Sequence, residues 1–442
     1  MLEERIKEIS QLFKQKSANK EILVVSHHDT DGITSAAIMI KTLKSLEKIF
    51  SVKIIKSLDN IVIKNLPPEK IIIFLDLASN SLQLIEKMKN DFIFIIDHHE
   101  INQTVPENVY IINPQLHNKE AISSAGLCYL FAKALNVNSK EMASLAVIGM
   151  MGDLHEKNLS KLNNQIITEG EVIVKRGVML YPATRPLNRV LEYSAEPYIP
   201  GVTGNIEGVM DLLKEAQIEK VGNAYKTLIE LDEDEMTRLV TTIVLRRPKI
   251  GFKREIIGTI YLVKRFGKLE DAREISAKIN ACSRLGESET ALLFCLENQK
   301  AKNKIETMYA KYKQEIISSL QTLKESSQRV IGKEYEIFHA GKTIRDTMIG
   351  TMASILAHSS LYEEGTIIIT MADDGDEKVK ASLRLVGNQG RNVKSVVEQA
   401  VLSLGGEYGG HNTAAGCTID KNKEQQFINN IKSCLEIEMI KV

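Results

Sequence analysis

Short apolar runs alternate with longer amphipathic stretches in the first third of the chain. Four of these runs hold four or five residues and are bounded by polar residues: Ile22–Val25, Ile71–Leu75, Phe92–Ile96 and Val109–Ile112. Continuous apolar runs of this length are typical of strands that are buried on both faces, as in a parallel sheet. After the first run, apolar residues recur at helical spacing. The alternation predicts an α/β domain with a doubly wound, mostly parallel sheet over residues 1–200.

A mostly helical connecting region is predicted to follow, over residues 201–330. Its pattern includes a strand at Gly258–Val263, a helix over 271–284 and a long helix over 299–325. We interpret the long helix as the connection between two domains. From residue 331 onward, a smaller C-terminal α/β domain is predicted, over 331–442.

One strand of the second domain has two chemically different faces. The period of two residues in Lys378–Leu385 puts Lys380, Ser382 and Arg384 on one face and apolar residues on the other. Lys, Ser and Arg suit phosphate oxygens, and a guanidinium can grip a phosphate with two parallel hydrogen bonds. A glycine-rich loop ending near His411 is predicted further on, and its glycines would let backbone N–H groups approach a phosphate.

Composition limits the class of protein. Hydrophobic residues make up 43% and charged residues 26% of the 442 residues, as in an ordinary globular protein. No apolar stretch approaches the ~20 residues of a membrane helix, and the N-terminus lacks a signal-peptide pattern, so we expect a cytoplasmic protein and no membrane. The five Cys form no CxxC pair, which argues against a disulfide framework or a thiolate metal site.

Acidic and imidazole side chains follow three of the predicted strands, and a fourth acid ends a Gly-x-x-Gly-Asp sequence. The principal candidates are His27, Asp29, Asp31, Asp76, Asp97, His98, His99 and Asp153. Carboxyl ends of parallel strands meet at one edge of the sheet, where ligands bind. Carboxylate and imidazole without thiolate suit Mn²⁺ or Mg²⁺, and a site of this size can hold two ions that clamp a phosphoryl group. Each Asp alone could instead be a helix cap, but capping does not explain the conjunction.

These motifs, in this order, resemble the DHH phosphoesterase superfamily. The matching segments are His27–Gly32, Asp76, Asp97–His99, the Gly-x-x-Gly-Asp that ends at Asp153, and Gly409–His411 within Gly405–Asn412. The last of these resembles the Gly-rich His motif of the DHH-associated C-terminal domain. The segment Arg273–Cys282 also resembles the RecJ-like branch, so the similarity reaches nearly the full length.

The resemblance implies a role for each residue. One ion would be held by His27, Asp29 and Asp76, and the other by Asp31, Asp76, His98 and Asp153. Asp97 would orient the site, and His99 would contact the scissile phosphate. The two ions would be Mn²⁺, with Mg²⁺ possible, and coordination would make water a usable nucleophile. The terminal nucleotide would be held by Arg384, Gly409, Gly410, His411 and Asn412, in an active-site cleft between the two α/β domains.

The activity implied is that of an archaeal RecJ-like exonuclease, a hydrolase that acts on ends of single-stranded DNA or RNA in replication or repair. Partners by the same analogy are the GINS complex or a Hef-type helicase. Trp is absent and aromatics are only 5%, so base-stacking platforms are sparse and Tyr408 is one candidate. A phosphodiesterase for short oligonucleotides or cyclic dinucleotides therefore stays open.

Two further alternatives are weaker. An inorganic pyrophosphatase shares the metal motifs, but its second domain lacks the Gly-Gly-His sequence found here. A non-catalytic replication scaffold is the alternative from a different class, because eukaryotic relatives of RecJ have kept the fold and lost metal ligands. This sequence retains every expected ligand from His27 to Asp153.

Overall fold

The structure, a computed structural model, describes residues 1–117, 120–157, 159–194, 199–246, 256–325, 329–359 and 361–436. The chain divides into two compact units, Met1–Tyr309 and Ala310–Val442. Each unit is described by itself. The domain boundaries expected near residues 200 and 330 stay predictions.

A five-stranded sheet forms the centre of the N-terminal unit. Its strands are β1 (Ile22–His27), β2 (Phe50–Ile55), β3 (Ile71–Leu75), β4 (Ile93–Ile96) and β5 (Val109–Ile112). They lie in the order β2-β1-β3-β4-β5, and every neighbouring pair is parallel. The helices that surround this sheet are α1 (Leu2–Lys16), α2 (Thr30–Ser45), α3 (Asn60–Lys64), α4 (Leu82–Ile85), α5 (Ser124–Ala134), α6 (Lys140–Gly152) and α7 (Lys161–Glu169). The predicted doubly wound parallel sheet is confirmed.

The sheet is buried on both faces, as its continuous apolar strands predict. Because side chains alternate along a strand, Val24 and Ile73 enter one hydrophobic core with α2, α5 and α6. Val25 and Phe74 enter the core on the opposite face. Because β1, β3 and β4 are parallel neighbours in this sheet, their carboxyl ends lie side by side at one edge.

The remainder of the unit adds a three-stranded antiparallel sheet, a short two-stranded ribbon and further helices. The strands are β6 (Ile173–Val178), β7 (Lys220–Val221), β8 (Ala224–Tyr225), β9 (Ile257–Arg265) and β10 (Lys268–Asp271). The helices are α8 (Leu187–Glu192), α9 (Ile206–Glu215), α10 (Glu233–Arg246), α11 (Ala272–Arg284) and α12 (Ser288–Cys295). A long helix, α13 (Gln299–Glu325), begins in this unit and ends in the C-terminal one. The three-stranded sheet has the order β10-β9-β6, and β7 pairs with β8. β6 was not predicted, because Ile173 and Val174 are both half exposed and its partner strand, β9, lies far along the chain.

The C-terminal unit is a six-stranded mixed sheet with helices. Its strands are β11 (Arg329–Ile331), β12 (Tyr335–His339), β13 (Ile367–Asp374), β14 (Lys378–Leu385), β15 (Glu407–His411) and β16 (Ala414–Asp420). Its helices are α14 (Asp346–His358), α15 (Val393–Val401) and α16 (Glu424–Glu436). The order is β11-β12-β13-β14-β16-β15, and among these described strands only β12 and β13 pair in parallel.

The glycine-rich segment expected as a loop is largely an edge strand, β15, which pairs with β16. Glycine has a low intrinsic preference for strands, so the local sequence gave no sign of this pairing. Across the described parts of both units, none of the helices has the length and apolar character needed to cross a membrane.

Candidate metal centre and phosphate-binding face

The side chains predicted to bind metal converge at the carboxyl edge of the parallel sheet. His27 Nδ1 lies 3.0 Å from an Asp29 carboxylate oxygen and 3.5 Å from Asp76 Oδ2. His98 Nε2 lies 3.5 Å from Asp76 Oδ1 and 3.2 Å from Asp153 Oδ2. Asp76 directly follows β3, the strand between β1 and β4, and it contacts both histidines.

The six residues predicted to bind metal fall into two groups of ligand atoms, each with all atoms within 4.8 Å of one another. One group contains His27, Asp29 and Asp76, and the other contains Asp31, Asp76, His98 and Asp153. A ring nitrogen of His99 also lies within 4.8 Å of ligand atoms of Asp76 and His98. Asp76 belongs to both groups and offers one oxygen to each side. Asp29 is also the N-cap of α2, accepting a 3.0 Å hydrogen bond from Gly32 N. This carboxylate therefore caps a helix and also belongs to a group of candidate metal ligands.

Two glycines allow the elements of the site to approach one another. A Cβ at Gly32 would lie 2.4 Å from the carbonyl oxygen of His27, so the turn from β1 into α2 requires glycine there. A Cβ at Gly149 on α6 would lie 2.6 Å from Asp31 Oδ1 and 2.6 Å from Thr34 Oγ1. The first glycine of Gly-x-x-Gly-Asp therefore lets α6 pack directly against α2.

The N-terminus of α5 fixes two of the carboxylates. The backbone N–H groups of Ser124 and Ala125 donate to the two oxygens of Asp31, at 2.6 and 3.0 Å. The Ser124 hydroxyl donates to Asp76 Oδ1 at 3.0 Å. Asp31 is completely buried. A helix N-terminus favours negative charge, so α5 stabilises these carboxylates where they lie. Neither contribution was predicted from the sequence.

Asp97 is held by hydrogen bonds from three backbone groups. One oxygen accepts from the N–H groups of His98 and His99 at 2.8 and 3.2 Å, and the other accepts from Ser79 N at 2.9 Å. His99 Nδ1 lies 2.7 Å from the first oxygen. Asn113, fully buried, donates to both Ser79 Oγ and the His99 carbonyl at 2.9 Å. Asp97 thus organises the loops after β3 and β4 and belongs to neither group of ligand atoms.

The crowding of carboxylates perturbs their protonation. Burial and the neighbouring Asp29 and Asp31 carboxylates raise the pKa of Asp76 well above its ordinary value. Burial and the same kind of repulsion, from Asp31 and Asp76, raise the pKa of Asp153. Burial would lower the pKa of His27, but the adjacent Asp29 carboxylate outweighs this and raises it. The site concentrates negative charge that a bound cation would relieve.

The donor set fits a pair of divalent cations. Asp76 Oδ2 and Asp153 Oδ2 are buried oxygens that accept no well-aligned hydrogen bond from the described residues. Buried polar atoms are nearly always satisfied, and an ion is one way to satisfy them. Carboxylate oxygens with two imidazoles match the preferences of Mn²⁺, and the oxygens alone match Mg²⁺.

A helix from the distant part of the unit also supports the metal loop. The Asn280 side chain on α11 accepts a 3.0 Å hydrogen bond from Thr30 N, between Asp29 and Asp31. Thr30 Oγ1 in turn donates to the Ser276 carbonyl at 3.0 Å. In the sequence, this helix was singled out only because Arg273–Cys282 resembles the RecJ-like branch. Nothing in its local pattern predicted a contact with residue 30.

His155, two residues after Asp153 in the sequence, lies beside the centre. A ring nitrogen of His155 lies within 4.8 Å of ligand atoms of His98 and Asp153. Its ring centroid is 5.6 Å from that of His98. The spacing Asp153-Leu-His155, directly after a candidate ligand, was the signal that could have identified it.

In the C-terminal unit, Arg384 and His411 lie in register on one face of the sheet. Arg384 pairs with Ala414 on β16, and Ala414 pairs with His411 on β15, so the two side chains are two strands apart, roughly 10 Å. Gly409, exposed, has open space where a side chain would stand. We call Arg384, Gly409, His411 and Ala414 the Arg384 face.

Arg384 is held in place by its surroundings. Its Nε donates to Ser354 Oγ at 3.0 Å and one terminal nitrogen donates to Ser382 Oγ at 3.1 Å. The predicted alternation along β14 is confirmed, since Val379, Ala381 and Leu383 are fully buried in the opposite layer.

The other residues predicted to contact substrate in this region are Gly410, Asn412 and Tyr408. Gly410 has a φ of 142°, and a Cβ there would lie 2.4 Å from the Ala414 carbonyl oxygen. Asn412 accepts a 2.9 Å hydrogen bond from the Asn392 side chain. Tyr408, the candidate stacking residue, is 43% exposed and donates its hydroxyl to Glu398 at 2.8 Å.

Three family models match successive parts of the chain. The DHH family N-terminal domain matches residues 21–150, the DHH-CID domain residues 180–260 and the DHHA1 domain residues 333–437. The chain belongs to the DHH phosphoesterase superfamily, and its fold is RecJ-like.

Individual proteins are similar to this chain in sequence or in fold. An uncharacterized protein of Methanocaldococcus jannaschii is 27% identical, over 97% of both chains. RecJ from Thermus thermophilus, in complex with Mn²⁺, superposes with a TM-score of 0.61 at 18% identity over 99% of this chain. This chain spans 55% of the length of that RecJ. CDC45 from Entamoeba histolytica superposes with a TM-score of 0.66 at 12% identity, over 98% of this chain and 99% of that one.

Proposed function

We propose that the protein is a metal-dependent phosphodiesterase that releases nucleotides from the end of single-stranded DNA or RNA, as RecJ-like exonucleases do. The observation that carries the proposal is the pair of ligand groups that share Asp76. Two ions held in this way are a recurrent arrangement for in-line displacement at phosphorus. Membership of the DHH phosphoesterase superfamily supports the same reaction class.

The proposed assignment follows the two groups. His27, Asp29 and Asp76 hold one ion, and Asp31, Asp76, His98 and Asp153 hold the other, with Mn²⁺ favoured and Mg²⁺ an alternative. When bound, the ions supply an activated water near neutral pH and neutralise charge on the phosphoryl oxygens. The contribution of the chain is to fix the carboxylates, through the N-terminus of α5 and the hydrogen bonds around Asp97.

His99 is the proposed contact for the scissile phosphate. Its Nδ1 faces the Asp97 carboxylate at 2.7 Å, which fixes the orientation of the ring. The side chain is 44% exposed, whereas that of His98 is 18% exposed. The more accessible imidazole is the better placed of the two to meet a substrate, and Asp97 serves to aim it.

The Arg384 face is proposed to hold the terminal nucleotide through its phosphate. A guanidinium aligned by two hydroxyl groups, a histidine two strands away and a glycine with open space two residues before that histidine suit a phosphate ester. Gly410 and Asn412 would shape the backbone of this face. Binding the end of a strand would restrict hydrolysis to chain termini.

A non-catalytic scaffold is the second candidate, and the fold similarity to CDC45 favours it. Against it, all six proposed ligands are present, and within each of the two groups the ligand atoms lie within 4.8 Å of one another. A protein that kept the fold for assembly alone would not need this costly concentration of buried charge. The GINS complex and a Hef-type helicase stay predictions as partners.

Digestion of end-labelled single strands tests the proposal. We would compare DNA and RNA from trinucleotides to long oligomers, with Mn²⁺, using the native protein, His98→Ala and the matched control His117→Ala, whose histidine lies outside the ligand groups. Stepwise release of mononucleotides by the native protein and the control only is the expected result. The labelled end that is lost first gives the polarity.

The other outcomes discriminate the alternatives. Cleavage confined to the shortest substrates would identify an oligonucleotide phosphodiesterase, in keeping with the few aromatic residues. Absence of cleavage at any length, with Mn²⁺ shown to be bound, would overturn the nuclease and support the scaffold.

A further inference from the structure

His155 is a third histidine at the metal centre, outside the pattern of ligands that the superfamily motifs supply. A nitrogen of its ring, a nitrogen of His98 and an oxygen of Asp153 all lie within 4.8 Å of one another. Two ligands of one ion are separated by at most about twice a metal–ligand bond, so this spacing needs little contraction to close on an ion. Within the described part of the chain, the His155 side chain has no hydrogen bond or ion pair that would otherwise account for its position; its ring contact is with His98.

The backbone between Asp153 and His155 is bent in a way that serves these two side chains. Leu154 has a φ of 57°, the left-handed conformation that a branched apolar residue rarely adopts. Its own side chain is 55% exposed, so burial of Leu154 does not compensate for this conformation. The left-handed residue reverses the chain immediately after α6, which lets residues 153 and 155 approach the same point.

The short turn that carries His155 is anchored on its other side. His155–Lys157 forms a single turn of 3-10 helix. Glu156 in this turn lies 3.5 Å from the Arg273 guanidinium of α11, and both side chains are mostly buried, at 7% and 15% exposure. Arg273 also donates to the Thr259 carbonyl at 3.1 Å. The position of His155 is therefore set by tertiary contacts at the neighbouring residue.

We infer that His155 supplies a second imidazole to the ion held by His98 and Asp153, and that this makes the position select Mn²⁺ over Mg²⁺. Mg²⁺ prefers oxygen ligands and keeps several waters, whereas imidazole suits first-row transition ions. A ring nitrogen as a further ligand thus adds affinity for Mn²⁺ and little for Mg²⁺. The inference rests on the metal centre of the proposed function. It adds the choice between Mn²⁺ and Mg²⁺, which the superfamily motifs leave open.

The test measures metal binding rather than turnover. Mn²⁺ and Mg²⁺ affinities would be determined by titration calorimetry on the full chain, for the native protein, His155→Ala, His155→Asn and the control His117→Ala. Pulsed electron paramagnetic resonance of bound Mn²⁺ would report the coordinated imidazole nitrogens. We expect both His155 variants to lose roughly tenfold or more in affinity at one Mn²⁺ site, with Mg²⁺ affinity changed less than about threefold and one nitrogen coupling lost.

Each other outcome overturns the inference in a distinguishable way. Unchanged Mn²⁺ affinity and unchanged nitrogen couplings in His155→Ala would show that His155 is not a ligand, while the metal centre itself stands. Full recovery in His155→Asn, with couplings equal to those of the native protein, would show that only the size of the side chain matters. No Mn²⁺ binding by the native protein would overturn both this inference and the proposed metal centre.

Discussion

The carboxylate of Asp97 accepts a 2.9 Å hydrogen bond from the backbone N–H of Ser79, which joins the loops that follow two neighbouring strands. The loop after β3 begins with Asp76, and the loop after β4 carries His98. The distance between a candidate bridging carboxylate and a candidate histidine ligand is thus governed by a residue that belongs to neither ligand group.

Asp97→Asn is expected to weaken Mn²⁺ binding although it preserves shape. Both oxygens of Asp97 accept from N–H groups, so either orientation of an amide would set an NH₂ against a donor. We expect a loss of about 1–3 kcal/mol in the free energy of unfolding and a 10- to 100-fold weaker Mn²⁺ affinity, as orders of magnitude. Denaturant unfolding and calorimetric titration measure the two effects. Native-like Mn²⁺ affinity in the variant would show that Asp97 does not orient the site.

Gly149→Ala is expected to disturb the metal centre through a steric clash with Asp31. The added Cβ would lie 2.6 Å from Asp31 Oδ1 and 2.6 Å from the Ala125 methyl, and both of these residues are fully buried. Overpacking of this kind costs about 1–3 kcal/mol, and the displaced Asp31 should weaken metal binding as well. Thermal unfolding with and without Mn²⁺ separates the two effects. Equal stabilisation by Mn²⁺ in the variant and the native protein would contradict the second.

Asn280→Ala is expected to reduce both stability and Mn²⁺ affinity, because it leaves the N–H of Thr30 without its acceptor. The cost of an unsatisfied buried donor is about 1–3 kcal/mol. Asn280→Asp keeps an acceptor oxygen and should recover most of the lost metal affinity. Calorimetric titration of both variants provides the comparison. A loss of stability with unaltered Mn²⁺ binding would restrict Asn280 to a structural role.

Gly409→Ala should affect substrate binding, whereas Gly410→Ala should affect stability. No atom lies within 4 Å of a Cβ at Gly409, so that variant should fold normally and raise the KM for oligonucleotides by obstructing the Arg384 face. Gly410 has a left-handed backbone and a clash at 2.4 Å, so its variant should destabilise the C-terminal unit. Circular dichroism melting and steady-state kinetics distinguish them. An unchanged KM for Gly409→Ala would remove the Arg384 face from substrate binding.

Acid should weaken the hydrogen bonds of Glu169, which belongs to none of the ligand groups. Burial would raise the pKa of Glu169, but hydrogen bonds from Lys133, Tyr129 and Gln165 outweigh it and lower that pKa below its ordinary value. A lowered pKa contributes stability above the unfolded value, ~4.3, that is lost as the pH falls through the folded value. Native protein should therefore exceed Glu169→Gln in stability at pH 7, and the difference should shrink at pH 4. Urea unfolding at both pH values measures it, and a constant difference would refute the argument.

The sequence by itself determined the parallel sheet and the edge at which the ligands gather. Runs such as Ile71–Leu75 must be buried on both faces, and a buried run of five residues is too short for a helix. Once those runs are parallel strands, residues that directly follow them, such as Asp76 and His98, must lie at one edge. The ligand candidates at the strand ends were therefore readable from local pattern alone.

Tertiary structure decided what holds and completes the site. The hydrogen bond between Thr30 and Asn280 joins residues 250 positions apart, and no local periodicity encodes a partner at that separation. The approach of His155 to His98 and Asp153 depends on the left-handed backbone of Leu154 and on the contact between Glu156 and Arg273 of α11. The glycine-rich segment becomes a strand only because β16 lies beside it. Local sequence fixes which side chains avoid water, but the energies of long-range pairs exist only once the chain has brought both partners together.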